Sequence, residues 1–430
     1  MKRTGRGLAR FVVAGALVLP LLMGPGPLAV ATPGGAVGTP DGVRVDGEPA
    51  DNDGFVPPNP PVNAAVAGTY TVIFDDGLVS QAQVRAVARR MEAAHNVDAQ
   101  RYYLNAMRGF EFQGTAQEAA DLSADYRVSR VQPDYRVYAL GWQTGPVQKV
   151  QQGNPPSWGL DRIDQSSLPL DHKYTYPNRG AGVTVYVIDS GIRASHREFG
   201  GRAVAAMDFT GEGDNEDCAG HGTHVAGTIG GSRVGVAKGV RLVALRVLDC
   251  NGVGLTSGVV AALDWVLRNG QRPAVVNMSL GHAGSDAVLN KAVANVSRAG
   301  IPVVVAAGNN KGDACSVSPA SSLDAMTVGA IDRTDHRDVK YSNYGPCLNG
   351  FAPGTRIYSA WPDADDTYAT MSGTSMAAPH VTGAVAIAMA ANPTLTTTEF
   401  RACLRRKATR GKLADTRNSP NVLVRIIGAC

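Results

Sequence analysis

The 430-residue chain sets 41 Lys and Arg against 37 Asp and Glu, and holds 44% hydrophobic residues and 50 glycines. That is enough apolar material for one large core plus a smaller unit. A formal net charge of +4 among only 18% charged residues makes no basic stripe, so nucleic acid is excluded as an expected partner.

Residues 1–31 carry Lys2, Arg3, Arg6 and Arg10, then an apolar core from Phe11 to Leu22, then Ala29-Val30-Ala31 with small residues at the expected cleavage positions. This pattern predicts a secretory signal peptide. Gly24, Pro25 and Pro27 interrupt the apolar run before it reaches membrane-spanning length, and no later stretch is expected to cross a bilayer. Residues 32–67 are rich in Pro, Gly, Ala and Asp and include Pro57-Pro58-Asn59-Pro60-Pro61, which predicts a disordered or extended linker.

Residues 68–140 read as a compact unit. Tyr70 to Phe74 is a predicted strand, Ser80 to Ala94 an amphipathic helix, Gly109 to Phe112 a strand, Thr115 to Ala124 a helix and Val128 to Tyr138 a strand. With one further strand before Gly109, the order gives a small antiparallel α+β sandwich. Residues 141–157 form an open segment, and the large domain is expected over 158–430.

The large domain alternates strand and helix, which predicts an α/β fold with a mostly parallel sheet covered by helices on both faces. Val183 to Ile188 is a β-branched run that delivers Asp189-Ser190-Gly191 at its C-terminal end. Gly220-His221-Gly222-Thr223-His224 opens a small-residue helix, and Ile301 to Ala306 is a strand followed by Ala307-Gly308-Asn309. Ser372-Gly373-Thr374-Ser375-Met376-Ala377-Ala378-Pro379-His380 opens a long apolar run, with Ser375 at a loop-to-helix junction. Backbone N–H groups at a helix start have no intrahelical partner, so a serine hydroxyl there lies beside donors for a developing oxyanion. A serine needs a base to become a nucleophile, and an imidazole serves best when a carboxylate fixes its tautomer.

These motifs, in the order Asp, His, Ser, resemble the subtilase family of serine proteases, in its proteinase K-like branch. The resemblance runs from about Trp158 to the C-terminus. It implies Ser375 as nucleophile, His221 as base, Asp189 as its partner and Asn309 as oxyanion donor. Residues 68–140 resemble the inhibitor-type propeptide of that family, acting as chaperone and inhibitor in cis. The family pattern before Trp158 implies a mature start near Val150 to Gln152, and Ala139 to Lys149 is also open sequence. The implied product is a secreted, monomeric, broad-specificity endopeptidase acting on proteins and peptides. The alternative is a catalytically silent binding protein on the same fold.

A substrate strand is expected to pair with Leu280-Gly281 on one side and Gly252-Val253-Gly254 on the other, next to Leu248. Ser279-Leu280-Gly281 and Ala306-Ala307-Gly308 are expected to wall a P1 pocket, with Thr374 beside the nucleophile. With no acidic residue at those walls, the expected P1 preference is apolar or aromatic. The six cysteines of a secreted chain are expected as disulfides; the resemblance implies Cys218 with Cys250, Cys315 with Cys347 and Cys403 with Cys430. No catalytic metal is expected. Asp161, Asp164, Gln165 and Asp171 are candidate ligands for structural calcium, or else a solvated acidic segment. A second family calcium site would use carbonyls near Leu323 and Ala325, with Asn349 in place of the usual Asp. Histidines 95, 172, 196, 282 and 336 are read as surface residues.

Overall fold

A computed structural model of the chain describes residues 64–149, 154–426, 428 and 430. The expected signal peptide, nearly all of the expected linker and the Val150–Gln152 stretch lie outside the described residues.

The first described unit is built from β1 (Ala65–Phe74), α1 (Val84–His95), β2 (Asp98–Tyr103), β3 (Gly109–Gln113), α2 (Ala116–Ser123) and β4 (Val128–Ala139). Its strands lie antiparallel in the order β4-β1-β3-β2, with both helices on one face. Alternation on the strands turns Val72, Phe74, Phe110 and Phe112 inward. There they meet Val84, Val87, Ala88 and Met91 of α1, a spacing that lines up one helical face. A capping box starts α2: the Thr115 hydroxyl accepts from the Glu118 N–H, and the Glu118 carboxylate accepts from the Thr115 N–H. The first strand begins at Ala65, earlier than the expected Tyr70, because Ala65 already pairs with Tyr135.

The remainder runs β5 (Trp142–Gln143), α3 (Trp158–Asp164), β6 (Thr184–Asp189), β7 (Ala203–Asp208), α4 (His221–Gly230), β8 (Arg241–Arg246), β9 (Val253–Leu255) and α5 (Thr256–Asn269). It continues with β10 (Ala274–Met278), β11 (Leu280–Ala283), α6 (Ala287–Arg298), β12 (Val303–Ala306), β13 (Val317–Ser318), β14 (Met326–Ile331) and β15 (Gly350–Pro353). The last elements are β16 (Ile357–Trp361), β17 (Thr367–Ser372), α7 (Thr374–Ala391), α8 (Thr397–Lys407), β18 (Thr409–Arg410) and β19 (Val422–Leu423).

A nine-stranded sheet in the order β18-β19-β15-β14-β12-β10-β6-β8-β7 is parallel except for β18. Strand β6, inside this sheet, explains the unbroken apolar run. Val185 and Val187 join one core with Ile229 of α4 and Val385 of α7, while Tyr186 and Ile188 join another with Leu263 of α5 and Val293 of α6. A strand covered on both faces has no polar side to show. Strand order reverses around β6, so its C-terminal residue, Asp189, opens into the crevice where such sheets build sites.

Helix α7 crosses the first of these cores. It is long and apolar enough to cross a membrane, but 89% of that window is buried inside the protein. Ile387 is fully buried within it. Replacing Ile387 by Ala is expected to lower stability by about 2–5 kcal/mol through the cavity left behind, read as a fall in the denaturant midpoint with the slope unchanged.

Candidate active site

The site is organised around a stretch of the chain itself. Beyond the small sandwich, β4 continues as a strand between β9 and β11, antiparallel to both: Val137 pairs with Gly254, Tyr138 with Val253 and Gly281, and Ala139 with Leu280. The Ala139 N–H donates to the Gly252 carbonyl (2.9 Å) and the Leu140 N–H to the Ser279 carbonyl (3.1 Å). Gly252 adopts a φ of 72°, which a side chain would strain. Leu140 is buried in the core that contains Ala306 and Ala307, and Val137 in the core that contains Leu248.

The Leu140 carbonyl oxygen accepts two hydrogen bonds, from the Ser375 backbone N–H (3.0 Å) and the Asn309 Nδ2 (2.6 Å). The Asn309 amide is oriented by its other end, because Oδ1 accepts from the Thr374 N–H (2.9 Å) and hydroxyl (2.8 Å). The Thr374 hydroxyl in turn accepts from the Gly308 N–H. Gly373 has a φ of 149° and no side chain to collide with the Leu140 carbonyl. Two donors converging on one carbonyl oxygen polarise that carbonyl and would hold an oxyanion formed from it.

On the other side of the Leu140–Gly141 bond stands His221. A Cβ placed on Gly141 would come within 3.2 Å of His221 Nε2 and 2.8 Å of Met376 Sδ, so this nitrogen faces the residue after Leu140. His221 Nδ1 lies 2.7 Å from Asp189 Oδ1. The carboxylate is fully buried and also accepts from the Ser190 N–H, which leaves the ring its Nδ1–H tautomer, with a basic Nε2. Nε2 has no hydrogen-bond partner here. The Ser375 hydroxyl donates instead to the Ser279 carbonyl, at 2.7 Å.

Two supporting groups escaped the sequence reading. Asp217, in an acidic cluster whose role was not legible, is buried and accepts N–H groups from Ala219, Gly220 and Thr223 and the hydroxyl of Ser190. It fixes the start of α4, and hence His221, against Asp189; desolvation raises its pKa above the usual carboxylate value. The available signal was an Asp ahead of a Gly-His-Gly-Thr helix start. The second is Pro379. Proline has no N–H to give the carbonyl four residues earlier, so the Ser375 carbonyl is left to accept from the Ser279 hydroxyl (2.9 Å).

Cys218 is bonded to Cys250, Cys315 to Cys347 and Cys403 to Cys430. The first ties the loop before α4 to the loop before β9 across 32 residues, a closure worth about 3–4 kcal/mol by chain entropy. Glu212 lies beside that pair, but disulfide sulfurs offer no thiolate to a metal.

Asp161 lies in the first turn of α3 and Asp164 ends it. Asp161 accepts the N–H groups of Asp171 and His172, Asp164 Oδ2 accepts from Thr175, and Gln165 Oε1 accepts from Asp171. Asp164 Oδ1 is buried without a partner. Burial first, then neighbouring carboxylates, push the Asp164 pKa up. An orphaned oxygen among hard oxygen donors fits a calcium-type cation. The second expected site does not fit: the Ala325 carbonyl is engaged by the Arg401 guanidinium, and Asn349 Oδ1 accepts from the Thr327 N–H.

Two histidines correct the sequence reading. His196 and His282 are fully buried, not at the surface. His196 lies against the Phe199 and Tyr368 rings with Nε2 at the Thr367 carbonyl, and His282 lies beside Asp286 and under the Tyr135 ring. Their polar or small sequence neighbours gave no sign of the Tyr368 and Tyr135 rings, which come from distant parts of the chain.

Burial lowers the pKa of His224 to about 3 and of His380 to about 4, from 6.5. Both rings are neutral in the fold, while the unfolded chain protonates them near its ordinary value. Stability is therefore expected to fall as pH drops from about 6.5 towards 4. Denaturant midpoints across that range check this, together with ring resonances for His224 and His380 that do not titrate above about pH 5.

Residues 180–429 match the subtilase family. An extracellular serine proteinase of Thermus sp. (strain Rt41A) is 47% identical over 379 residues, covering 84% of this chain and 90% of that protein. An alkaline serine exoprotease A of Vibrio alginolyticus is 41% identical over 373 residues, covering 85% and 68%. A crystal structure of a cold-adapted subtilisin-like serine proteinase superposes with a TM-score of 0.61 at 48% identity, over 63% of this chain and 98% of that one. The chain belongs to the subtilase family of serine proteases.

Proposed function

We propose that this protein is a secreted, self-processing serine endopeptidase and that Leu140–Gly141 is the first bond it cuts. The observation that carries the reading is the Leu140 carbonyl, bonded by the Ser375 N–H and Asn309 while residues 136–139 lie as a strand between β9 and β11. Ser375 Oγ turns from the Ser279 carbonyl and attacks the Leu140 carbonyl carbon as His221 Nε2 takes its proton. Asp189 steadies the imidazolium. The oxyanion is held by the two donors already in place. On collapse His221 returns the proton to the Gly141 nitrogen, the C–N bond breaks, and water later hydrolyses the Leu140 acyl-enzyme.

Leu140 and Val137 supply the specificity reading. Both are apolar and buried, which supports an apolar or aromatic P1 residue and a second apolar contact three residues earlier. Residues 68–140 act as chaperone and inhibitor in cis. Gln132 donates to Asp286 Oδ1, Asp134 accepts from the Ser257 N–H at the start of α5, and Asp264 of α5 accepts the N–H groups of residues 104–106. Asp161, Asp164, Asp171 and Gln165 hold structural calcium, which pins α3 to the loop after it and takes no part in the chemistry. Calcium chelation is expected to lower the thermal midpoint.

Mass spectrometry of the secreted wild type and Ser375→Ala tests the reading. The wild type is expected to be cut after Leu140, and the variant to stay joined there; equal cutting of both would overturn self-processing. If neither is cut and no peptide is hydrolysed, the silent-binder reading takes its place. Asn309→Ala is expected to lower kcat by about 10²–10³, the loss found for the equivalent donor of subtilisin, a member of the same family.

The Asp134 carboxyl is pushed up to about 6 from 3.8, chiefly by desolvation. Docked, it keeps a proton that the undocked residue sheds, so docking weakens as pH rises from about 4 to 6. After the cut, the small unit is expected to dissociate faster at pH 7 than at pH 5, and Asp134→Asn to flatten that dependence.

A further inference from the structure

Past the scissile bond the chain does not leave the cleft. Trp142 pairs with Ser372 and Gln143 with Met371, antiparallel along β17. The Thr144 N–H donates to the Thr370 carbonyl at 2.7 Å. Gly145 then passes so close that a Cβ would lie 3.2 Å from Thr370 Cβ. Pro146, which has no N–H to place in a ladder, lies between the two paired stretches. Pairing resumes at Gln148, whose N–H donates to the Tyr368 carbonyl at 2.8 Å and whose carbonyl accepts from the Tyr368 N–H at 2.7 Å. The Trp142 ring meets Tyr341 edge-on at 4.8 Å, and Arg197 lies over the Tyr368 ring and reaches the Lys149 carbonyl. On its other side β17 pairs with β16, so residues 142–148 are what cover its outer edge.

We propose that residues 141–149 remain on the outer edge of β17, along Ser372 to Tyr368, after the first cut. They form an N-terminal arm that occupies the leaving-group half of the cleft. This rests on the reading that Leu140–Gly141 is the bond cut. The cut removes one covalent bond and none of the hydrogen bonds along β17. The arm also stays tethered to the protein through α3, so its return to the edge is intramolecular, at an effective concentration of the order of millimolar. Release of the small unit therefore opens only the half of the cleft between β9 and β11. A substrate must displace the arm to seat its own leaving-group side, and the longer that side, the more of the arm it must displace.

The test uses the processed enzyme, freed of residues 64–140, as wild type and as Gln148→Pro, which removes one ladder donor. Trp142→Ala, which removes the Tyr341 contact and leaves the backbone intact, is the second variant in case the proline disturbs folding. Two peptides share one acyl side; one is short beyond the scissile bond and the other extends as far as residues 141–148 do. The wild-type chain is expected to begin at Gly141, with the Thr144 and Gln148 amides protected from hydrogen exchange. Each variant is expected to raise kcat/KM on the long peptide about five- to tenfold relative to the short one. Unprotected amides at Thr144 and Gln148, or an unchanged ratio in both variants, would overturn the arm. A different N-terminus in an enzyme that cuts the short peptide overturns the assigned bond and the arm with it. No cutting of the short peptide refutes the protease reading itself.

Discussion

Two hydrogen bonds onto one carbonyl oxygen, from the Ser375 N–H and the Asn309 side chain to Leu140, fix the relation between the parts of this molecule. Both donors are held before any reaction. The first belongs to the opening turn of a helix buried in the core, and the second is turned by Thr374, which shares that turn. Neither would need to reorganise if charge developed on that oxygen, which is the condition under which such donors act most strongly. The same oxygen fixes the register of the strand leading into it. A slip of one residue would carry Leu140 out of its pocket and turn Val137 away from Leu248.

The central sheet was legible because β6 and β12 are short β-branched runs that bury both faces, and such runs have few other uses than a buried strand. Asp189, His221 and Ser375 stood out by their flanks, since each ends a strand or opens a helix beside small residues, whereas Asn309 was marked only by the family resemblance. What could not be read was anything that depends on contacts between distant segments. Asp217 looked like one more acid in an acidic loop, and only the fold brings Ser190 and the α4 N–H groups to it. His196 and His282 looked exposed because the rings that cover them, Tyr368 and Tyr135, lie far away in the sequence. The position of Leu140 was hidden for the same reason. The stretch around it has no motif of its own, and its meaning comes from the strands on either side.

The small sandwich and the large domain divide the work of burial unevenly. The sandwich closes its own core with Phe110, Phe112 and one face of α1, so it can order from local contacts. The large domain must first join strands distant in sequence before its two cores close. Polar groups at the start of α5 and α6 meet Asp134 and Gln132 from the sandwich, which places partners where two helices of the slower unit begin.

Pro379 carries a consequence of its own. In an uninterrupted helix the Ser375 carbonyl would bond along the helix, and Ser375 would answer only to the helix that bears it. Without that N–H, the carbonyl reaches sideways to Ser279, the residue whose own carbonyl receives the Leu140 N–H. The peptide that carries the Ser375 hydroxyl and the strand that ends at Leu140 thus share one residue, Ser279, the first through its side chain and the second through its carbonyl. A displacement of either is passed to the other, so the distance between the Ser375 hydroxyl and the Leu140 carbonyl is conserved by a hinge of one serine rather than by the stiffness of the whole domain.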